Sequence, residues 1–330
     1  MNSIKSFSPT RIDLAGGTLD LWPLFNFVNK TPVTLNVAID IFTYAEIIER
    51  EDSKVLLKSE DMGFERLFDS FEECIEDHTP ELKLLRCICR EFPTKKGFEL
   101  YTKSESPVGA GLGGSSSLCI SIIKAFLSWQ NLKLGVHEIV HLAHNIESRV
   151  LNTPTGTQDY YPPLESGILA LEYSSRGIGL ESLKLDIKEF NEKSIVVYTG
   201  KPHMSGLNNW EVVKKAVAKD KETLSALNDL NDISNSLLNS FREKGFSEIK
   251  EHFQREYEAR NRLSEVFSSP QIKELHAMVE KEFSGALKIC GAGGGGCVLL
   301  WLEKAQREAA VKRVEEMGFK ALNNKAFLYG

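Results

Sequence analysis

The pattern of apolar and polar positions predicts strands in both halves of the chain and helices over much of the second half. Residues 33–49, 195–200 and 297–301 are rich in β-branched and aromatic side chains, which are typical of strands. Residues 206–285 instead show charged helical patterns, such as NNWEVVKKAVAK and EYEARNRLSEVF. Because strands and helices are mixed in each half rather than alternating strictly, the pattern predicts the α+β class.

The length of the chain favours two domains. It has 330 residues, of which 42% are hydrophobic and 26% charged, enough to bury a sizeable core. Nine of the eleven prolines lie in the first 170 residues, ahead of the charged helical region. We therefore expect an N-terminal domain over residues 1–190 and a C-terminal domain over residues 191–330.

A buried helix is predicted within SSSLCISIIKAFLSW, residues 115–129. Its apolar positions recur at helical spacing and form a wide stripe: Leu118, Ile122, Ala125 and Trp129, widened by Ile120, Ile123, Phe126 and Leu127. The serines at its start are residues that commonly cap a helix, so we expect one of them to be the N-cap.

A glycine-rich turn precedes this helix in the stretch PVGAGLGGSSS, residues 107–117. Glycines permit tight turns and a close approach of backbone to ligand, and the free N–H groups of a helix start bind anions. The stretch is not a Walker loop, because the lysine of GxxxxGK[ST] is missing, and its glycines lack the spacing of a dinucleotide fingerprint. Locally, two interpretations stay open: a phosphate cradle or a flexible connector.

Composition narrows the possible partners and location. A formal net charge of −6 with dispersed Lys and Arg argues against nucleic acid and anionic membranes as partners. The N-terminus MNSIKSFSPTR lacks the regions of a signal peptide, and no apolar run approaches the roughly 18 residues of a spanning helix, so we expect a cytoplasmic protein. The six cysteines include no CxxC pair, and we expect them to be reduced and buried, with a zinc cluster as the alternative.

Three ordered motifs resemble those of the GHMP kinase superfamily, named for galactokinase, homoserine kinase, mevalonate kinase and phosphomevalonate kinase. PVGAGLGGSSS resembles the PxxxGLGSS phosphate loop, SPTRIDLAGGTLD (8–20) the N-terminal signature, and ICGAGGGGCV (289–298) the C-terminal glycine motif. The resemblance implies an N-terminal ATP-binding domain like domain 2 of ribosomal protein S5 and a ferredoxin-like C-terminal domain, with the site between them. It also implies an ATP-dependent kinase that phosphorylates a hydroxyl group.

The same resemblance places ATP on the glycine-rich turn and Mg²⁺ beside it. The residues implied for ATP binding are Pro107, Gly109, Ala110, Gly111, Leu112, Gly113, Gly114, Ser115 and Ser116. Ser115 and Glu147 would hold Mg²⁺ between the phosphates. One hydroxyl and one carboxylate, completed by phosphate and water oxygens, form a set that Mg²⁺ accepts.

The catalytic residues implied by the resemblance are Asp159 and Arg11. Asp159 matches the residue that takes the proton of the acceptor hydroxyl, and Arg11 would keep that carboxylate ionised and stabilise developing charge. The residues implied for acceptor binding are Gly16, Gly17, Thr18, Asp20, Asp159, Gly293 and Gly294. A single Glu on a helix or Asp in a turn is usually a solvated surface group, so these assignments depend on the joint pattern.

Details of the motifs favour a sugar or sugar phosphate over an isoprenoid alcohol as the acceptor. Asp20 matches an Asp that hydrogen-bonds sugar hydroxyls in the sugar-kinase branch. Galactose is disfavoured because Gly17-Thr18 stands where galactokinases carry Glu-His, whereas the paired glycines and GTQD resemble heptose-phosphate kinases and fucose kinase-like members. GGTLD departs from their GGGTD, and His203 stands where related kinases tend to place Arg, so the identity of the sugar stays open, as does the choice between monomer and homodimer.

A zinc site from another class of enzyme is the competing interpretation of one helix. His137, Glu138 and His141 spell HEIVH, which matches the HExxH pattern of zinc proteases. On a helical wheel these histidines and His144 project opposite the apolar face, toward solvent, and no third ligand is marked. We therefore expect a surface stripe of histidines, with Glu147 on the flank between the two faces.

The sequence thus predicts transfer of the γ-phosphoryl group from ATP to a sugar hydroxyl, with a heptose 7-phosphate-like acceptor favoured. The alternatives are a kinase-like sensor without turnover and, more remotely, a zinc hydrolase. The sensor is disfavoured because both Glu147 and Asp159 are present.

Overall fold

The computed structural model describes residues 3–202 and 205–330, the side chains of 205–208 excepted. Within these ranges the strands form two sheets, one of seven strands and one of four, with helices packed against them. The α+β class is therefore confirmed. The strands are β1 Ser3–Ala15, β2 Val33–Glu49, β3 Val55–Ser59, β4 Phe64–Phe68, β5 Phe98–Ser104, β6 Ile168–Ser174, β7 Gly177–Leu183, β8 Ser194–Tyr198, β9 Ala286–Ile289, β10 Cys297–Trp301 and β11 Lys320–Leu322.

The described helices are α1 Phe71–Glu76, α2 Lys83–Glu91, α3 Gly114–Trp129, α4 Val136–Leu151, α5 Pro162–Glu165, α6 Ile187–Lys193, α7 Ser205–Val217, α8 Lys221–Lys244, α9 Ile249–Leu263, α10 Pro270–Phe283 and α11 Arg307–Glu316. In chain order, most of them fall into two groups, α1 to α5 between β4 and β6 and α7 to α10 between β8 and β9. In the described part of the chain, none of these helices is long and apolar enough to cross a membrane.

The larger sheet is organised around β2, whose bounds match the strand predicted over residues 33–49. Its order is β4-β3-β5-β2-β6-β7, and β1 pairs antiparallel with β2 along most of its length. β1 carries Arg11 and Asp13 in its buried half and ends directly before the Gly16-Gly17 turn. This strand therefore delivers the first motif to the interior of the protein.

The smaller sheet has the order β11-β8-β10-β9, and each of its described pairs is antiparallel. β8 and β10 match the two strands predicted in the second half. β9 and β10 form a hairpin, and the C-terminal glycine motif is the connection between them. The position of this motif is thus set by the pairing of two fully buried strands.

The predicted buried helix is α3, but the prediction that a serine caps it was wrong. Ile122, Ala125 and Phe126 are fully buried in it, as expected. Its N-cap is Gly113, in the left-handed conformation with φ 68°, and no side chain caps the helix. Glycine adopts this conformation at little cost, and the serines that follow are free to bond elsewhere.

The two halves share one hydrophobic cluster. It includes Ile12 of β1, Phe253 of α9 and Leu299 of β10. The chain also returns to the larger sheet at its end, where the Phe327 N–H donates to the Ala38 carbonyl. The domain division at residues 190 and 191 stays a prediction. All six cysteines are free and buried, as predicted.

Candidate active site

The three motifs meet at a cleft of about 410 Å³. Its lining combines the first-motif turn, the glycine-rich turn, the first turn of α3, Glu147 of α4, the segment 153–159, and Gly291 and Ala292. Met62, Val108 and Leu151 add exposed apolar surface to the same cleft. The cleft therefore has a polar part and an apolar part.

The glycine-rich turn requires glycine at specific positions. Gly109, Gly111 and Gly113 have φ angles of 66°, 73° and 68°, a conformation that side chains disfavour. A Cβ added at Gly113 would lie 3.3 Å from Cγ of Arg11 and 3.5 Å from Oδ2 of Asp159. The turn thus leads into α3 with its backbone directly against these two side chains.

Arg11 and Asp159 form a bidentate ion pair beside this turn. Nε and Nη2 of Arg11 donate to the two carboxylate oxygens of Asp159 at 2.8 and 2.7 Å. Nη1 of Arg11 donates to the carbonyls of Gly111 and Cys290 at 2.6 and 2.8 Å. Burial lowers the pKa of Arg11, but the charge and hydrogen bonds of Asp159 outweigh it and the pKa is raised. Asp159 stays 25% exposed, so its carboxylate is accessible from the cleft.

Glu147 reaches from α4 to the start of α3. Its carboxylate accepts hydrogen bonds from Ser115 Oγ at 2.5 Å and from Ser116 Oγ at 2.6 Å. Burial raises the pKa of Glu147, and the two serine hydrogen bonds oppose that shift. The predicted Ser115–Glu147 juxtaposition is therefore present, and Ser116 joins it.

Asp20 is buried in the polar part of the cleft. Its Oδ2 accepts a hydrogen bond from the backbone N–H of Gln158 at 3.1 Å. Burial, together with the negative charge of Asp159, raises the pKa of Asp20 to about 6. Thr18, two residues earlier, has a φ of 88° and also lines the cleft. Asp20 therefore faces the same space as the ion pair.

Some predicted site residues lie apart from the cleft lining. A Cβ at Gly293 would meet the Phe267 carbonyl at 2.6 Å, and the Gly294 N–H donates to that same carbonyl. Gly16 packs against the backbone of Val33 and Thr34. Leu112 is fully buried, and its carbonyl accepts a hydrogen bond from the backbone N–H of Arg11. From the C-terminal motif the cleft is instead lined by Gly291 and Ala292.

The histidines of α4 have separate environments. His137 and His141 are exposed, as predicted, and bond to the Tyr161 hydroxyl and to Asn145. The prediction was wrong for His144, which is partly buried with its Nε2 3.1 Å from the Thr155 carbonyl, and burial lowers its pKa. The described residues contain no group of three or more His, Cys, Asp or Glu side chains that could hold a metal ion. His203 lies outside the described residues.

Sequence reasoning missed a buried quartet of charges beside the cleft. Asp13 of β1 and Glu256 of α9 pair with Arg260 of α9 and Lys288 of β9, and each of the four side chains is at most 2% exposed. Asp13 lies within the first motif, which was the available signal. Its two cationic partners are 247 and 275 residues away in sequence, so the pairing had no local signal.

Comparisons with known proteins identify the family of the chain. Residues 82–167 match the family model of the GHMP kinases N terminal domain, and residues 237–320 match that of the GHMP kinases C terminal. The chain belongs to the GHMP kinase superfamily. Since this family uses ATP, the kinase transfers a phosphoryl group from ATP to an alcohol group of a small molecule.

Individual relatives of the kinase differ in their acceptors. It is 26% identical to the D-glycero-alpha-D-manno-heptose 7-phosphate kinase of Campylobacter jejuni, over 97% of this chain and 95% of the relative. It is 22% identical to the mevalonate kinase of Methanocaldococcus jannaschii, over 88% and 91%. The structure of a D-glycero-D-manno-heptose 1-phosphate kinase from Bacteroides thetaiotaomicron superposes with a TM-score of 0.79 at 20% identity, covering 99% of this chain and 97% of that one, which shows the shared fold.

Proposed function

We propose that the kinase phosphorylates a hydroxyl group of a sugar or sugar phosphate, with a heptose 7-phosphate-like acceptor favoured. The observation that carries this proposal is a set of buried oxygen atoms in the polar part of the cleft. The similarity to the Campylobacter heptose 7-phosphate kinase over nearly the whole chain also supports it.

The polar part of the cleft is rich in hydrogen-bond acceptors that need donors. Among the described residues, Oε1 of Gln158 and Oδ1 of Asn209 are buried without a hydrogen-bond partner, and both residues line the cleft with Asp20. Leaving a buried acceptor unpaired costs about 1–3 kcal/mol. An acceptor with many hydroxyls can satisfy several of these oxygens, whereas an alcohol with few hydroxyls leaves some unpaired.

The proposed roles follow from the positions of the charged groups. The phosphates of ATP lie against the turn from Gly109 to Ser116, where backbone N–H groups and the positive end of α3 attract anions. Asp159 takes the proton from the attacking hydroxyl, and Arg11 holds the Asp159 carboxylate in place through two hydrogen bonds. The exposed apolar surface of Met62, Val108 and Leu151 suits the adenine ring.

Ser115 and Glu147 are the residues that would hold Mg²⁺. Their oxygens already converge, and a buried carboxylate with a raised pKa is stabilised in its charged form by a nearby cation. Bound there, Mg²⁺ would neutralise the charge of the transferring phosphate. The protein positions two groups relative to that phosphate: the hydroxyl that is phosphorylated, and Asp159, which takes the proton of that hydroxyl.

A panel of acceptors tests the proposal. Release of ADP and the formation of a phosphorylated product are measured with heptose 7-phosphate, unphosphorylated heptoses, fucose, galactose and mevalonate, with D159N as the background control. The highest kcat/KM is expected for a heptose or heptose phosphate. A higher kcat/KM for mevalonate than for every sugar would overturn the proposed acceptor class.

A further inference from the structure

We propose that Asp13 is an acceptor-binding residue of the kinase. Its Oδ1 accepts a hydrogen bond from a hydroxyl of the bound acceptor, and Arg260 and Lys288 hold the carboxylate in position for that contact. The inference rests on the proposed function to the extent that the cleft receives an acceptor with several hydroxyl groups.

The two oxygens of Asp13 have opposite environments. Oδ2 accepts from Nη2 of Arg260 and from Nζ of Lys288, each at 2.8 Å. Oδ1 is buried, and within residues 3–202 and 205–330 it has no hydrogen-bond partner. Asp13 is 1% exposed and lines the cleft. The carboxylate is therefore clamped through one oxygen, while the other has an unused capacity to accept hydrogen bonds.

A buried carboxylate oxygen without a hydrogen-bond partner costs free energy unless a ligand donates a hydrogen bond to it. Buried charges are ordinarily paired and their lone pairs satisfied, because burial removes the hydrogen bonds of water. Glu256 balances the second cation by pairing with Arg260 and Lys288 at 3.0 and 3.3 Å. The quartet is thus electrically balanced, and the unsatisfied oxygen of Asp13 is the one feature in it that points to a missing donor.

Arg260 also ties Asp13 to the turns that line the cleft. Its guanidinium donates to the carbonyl of Gly17 at 3.1 Å and to the carbonyl of Gly291 at 3.3 Å. A Cβ at Gly17 would lie only 2.3 Å from Oδ2 of Asp13 and 2.6 Å from Nη2 of Arg260. Glycine at position 17 therefore leaves the clamped carboxylate room beside the predicted acceptor turn.

The substitution Asp13→Asn tests the proposed hydrogen bond to the acceptor while keeping the size and shape of the side chain nearly unchanged. The two cations select the amide oxygen, so the amide NH₂ takes the position of Oδ1 and presents a donor in place of an acceptor. Loss of a hydrogen bond to a charged group corresponds to about a tenfold or larger rise in the KM for the acceptor. The KM for ATP is expected to stay within about twofold of the wild-type value, since the described hydrogen bonds of the Asp13 side chain go to Arg260 and Lys288 and not to the glycine-rich turn.

Glu256→Gln is the matched control. It removes the same charge from the same quartet, but Glu256 is outside the cleft lining. Thermal stability is expected to fall in both variants, whereas the acceptor KM of E256Q should stay within about threefold of wild type. An equal rise in acceptor KM in both variants, or an unchanged KM in D13N, would overturn the proposal.

Two double variants, each of which removes one anion and one cation, cover the case in which D13N does not fold. D13N/K288M and E256Q/K288M both lose the contact of Lys288 with position 13. Only E256Q/K288M keeps the Asp13 carboxylate, which is still paired with Arg260, so the acceptor KM is expected to be about tenfold higher in D13N/K288M than in E256Q/K288M. An equal acceptor KM in the two double variants would overturn the proposal. The acceptor is the best substrate found in the panel. If that substrate is mevalonate, the sugar proposal fails while the comparison of D13N with E256Q still decides the role of Asp13.

Discussion

The guanidinium of Arg11 holds both carboxylate oxygens of Asp159, at 2.8 and 2.7 Å, across 148 positions of sequence. The same guanidinium bonds the carbonyls of Gly111 and Cys290. Arg11 lies in the first motif, Gly111 in the second and Cys290 in the third. One buried side chain therefore joins all three motifs and places Asp159 next to the glycine-rich turn.

Asp159→Asn is expected to lower kcat by about 10² to 10⁴, because the amide cannot take a proton from the acceptor hydroxyl. One hydrogen bond to Arg11 can be kept by the amide oxygen, so the fold and the binding of ATP should persist. Steady-state kinetics and titration with a fluorescent ATP analogue measure the two effects. D61N is the control, since Asp61 lines the cleft and bonds to Ser59 and Ser104. A kcat within tenfold of wild type would remove Asp159 from the proposed role.

Ser115→Ala is expected to raise the Mg²⁺ concentration required for half-maximal activity by about tenfold, because one oxygen of the proposed metal site is lost. Activity is measured against free Mg²⁺ at saturating acceptor. Ser117→Ala is the control. The Ser117 hydroxyl bonds to the Ser8 and Pro9 carbonyls in the core, so its removal should lower stability without changing the Mg²⁺ dependence. Identical Mg²⁺ curves for S115A and wild type would show that the metal assignment is wrong.

Asp20 is expected to make acceptor binding pH-dependent. With a pKa of about 6, its carboxylate is mostly ionised at pH 7 and mostly protonated at pH 5. If the ionised form binds the acceptor, the acceptor KM should rise about tenfold between these pH values. In D20N the KM should be high already and flat over this range. A wild-type acceptor KM that falls as the pH is lowered would contradict this role.

The same carboxylate should lower the stability of the wild type as pH rises. Its pKa in the folded state, about 6, lies above the ordinary value of 3.8, so its favourable contribution is complete below pH 4 and is lost as pH rises to about 6. The free energy of unfolding of D20N relative to wild type should therefore increase by up to about 3 kcal/mol between pH 4 and pH 7. Urea denaturation at both pH values measures this. No change in the difference would show that Asp20 is not destabilised by burial.

Gly156→Ala is expected to disrupt the acceptor site through Asp20. An added Cβ would lie 1.9 Å from Oδ2 and 2.5 Å from Cγ of Asp20, so the carboxylate must move. The acceptor KM should rise about tenfold or more, with the KM for ATP nearly unchanged. Gly179→Ala in β7 is the control, because its Cβ would meet its nearest neighbour, Glu172, at an ordinary 3.7 Å. Equal kinetics for G156A and G179A would show that Asp20 does not bind the acceptor.

Local patterns in the sequence were sufficient to predict several of the strands and helices that carry the site. The strand over residues 33–49, the buried face of α3 and the hairpin strand at residues 297–301 depend on the apolar and β-branched character of neighbouring positions. The motif resemblance placed Ser115 beside Glu147 and Arg11 beside Asp159, and the side chains of each pair are hydrogen-bonded in the structure. These pairings were inferred from the family pattern, because the spacing of residues along a single sequence does not show which distant side chains are in contact.

The sequence by itself determined the fold class, the three glycine-containing motifs and the membership of the superfamily, since these depend on residues close together in the chain. Only the tertiary structure decided that Gly113, rather than a serine, is the N-cap of α3, that Gly293 and Gly294 contact Phe267, and that Arg260 and Lys288 clamp Asp13. The physical reason is that backbone conformation follows mainly from adjacent residues. Hydrogen-bond and charge partners are instead chosen by how distant segments pack, which brings groups more than 240 residues apart within 3 Å.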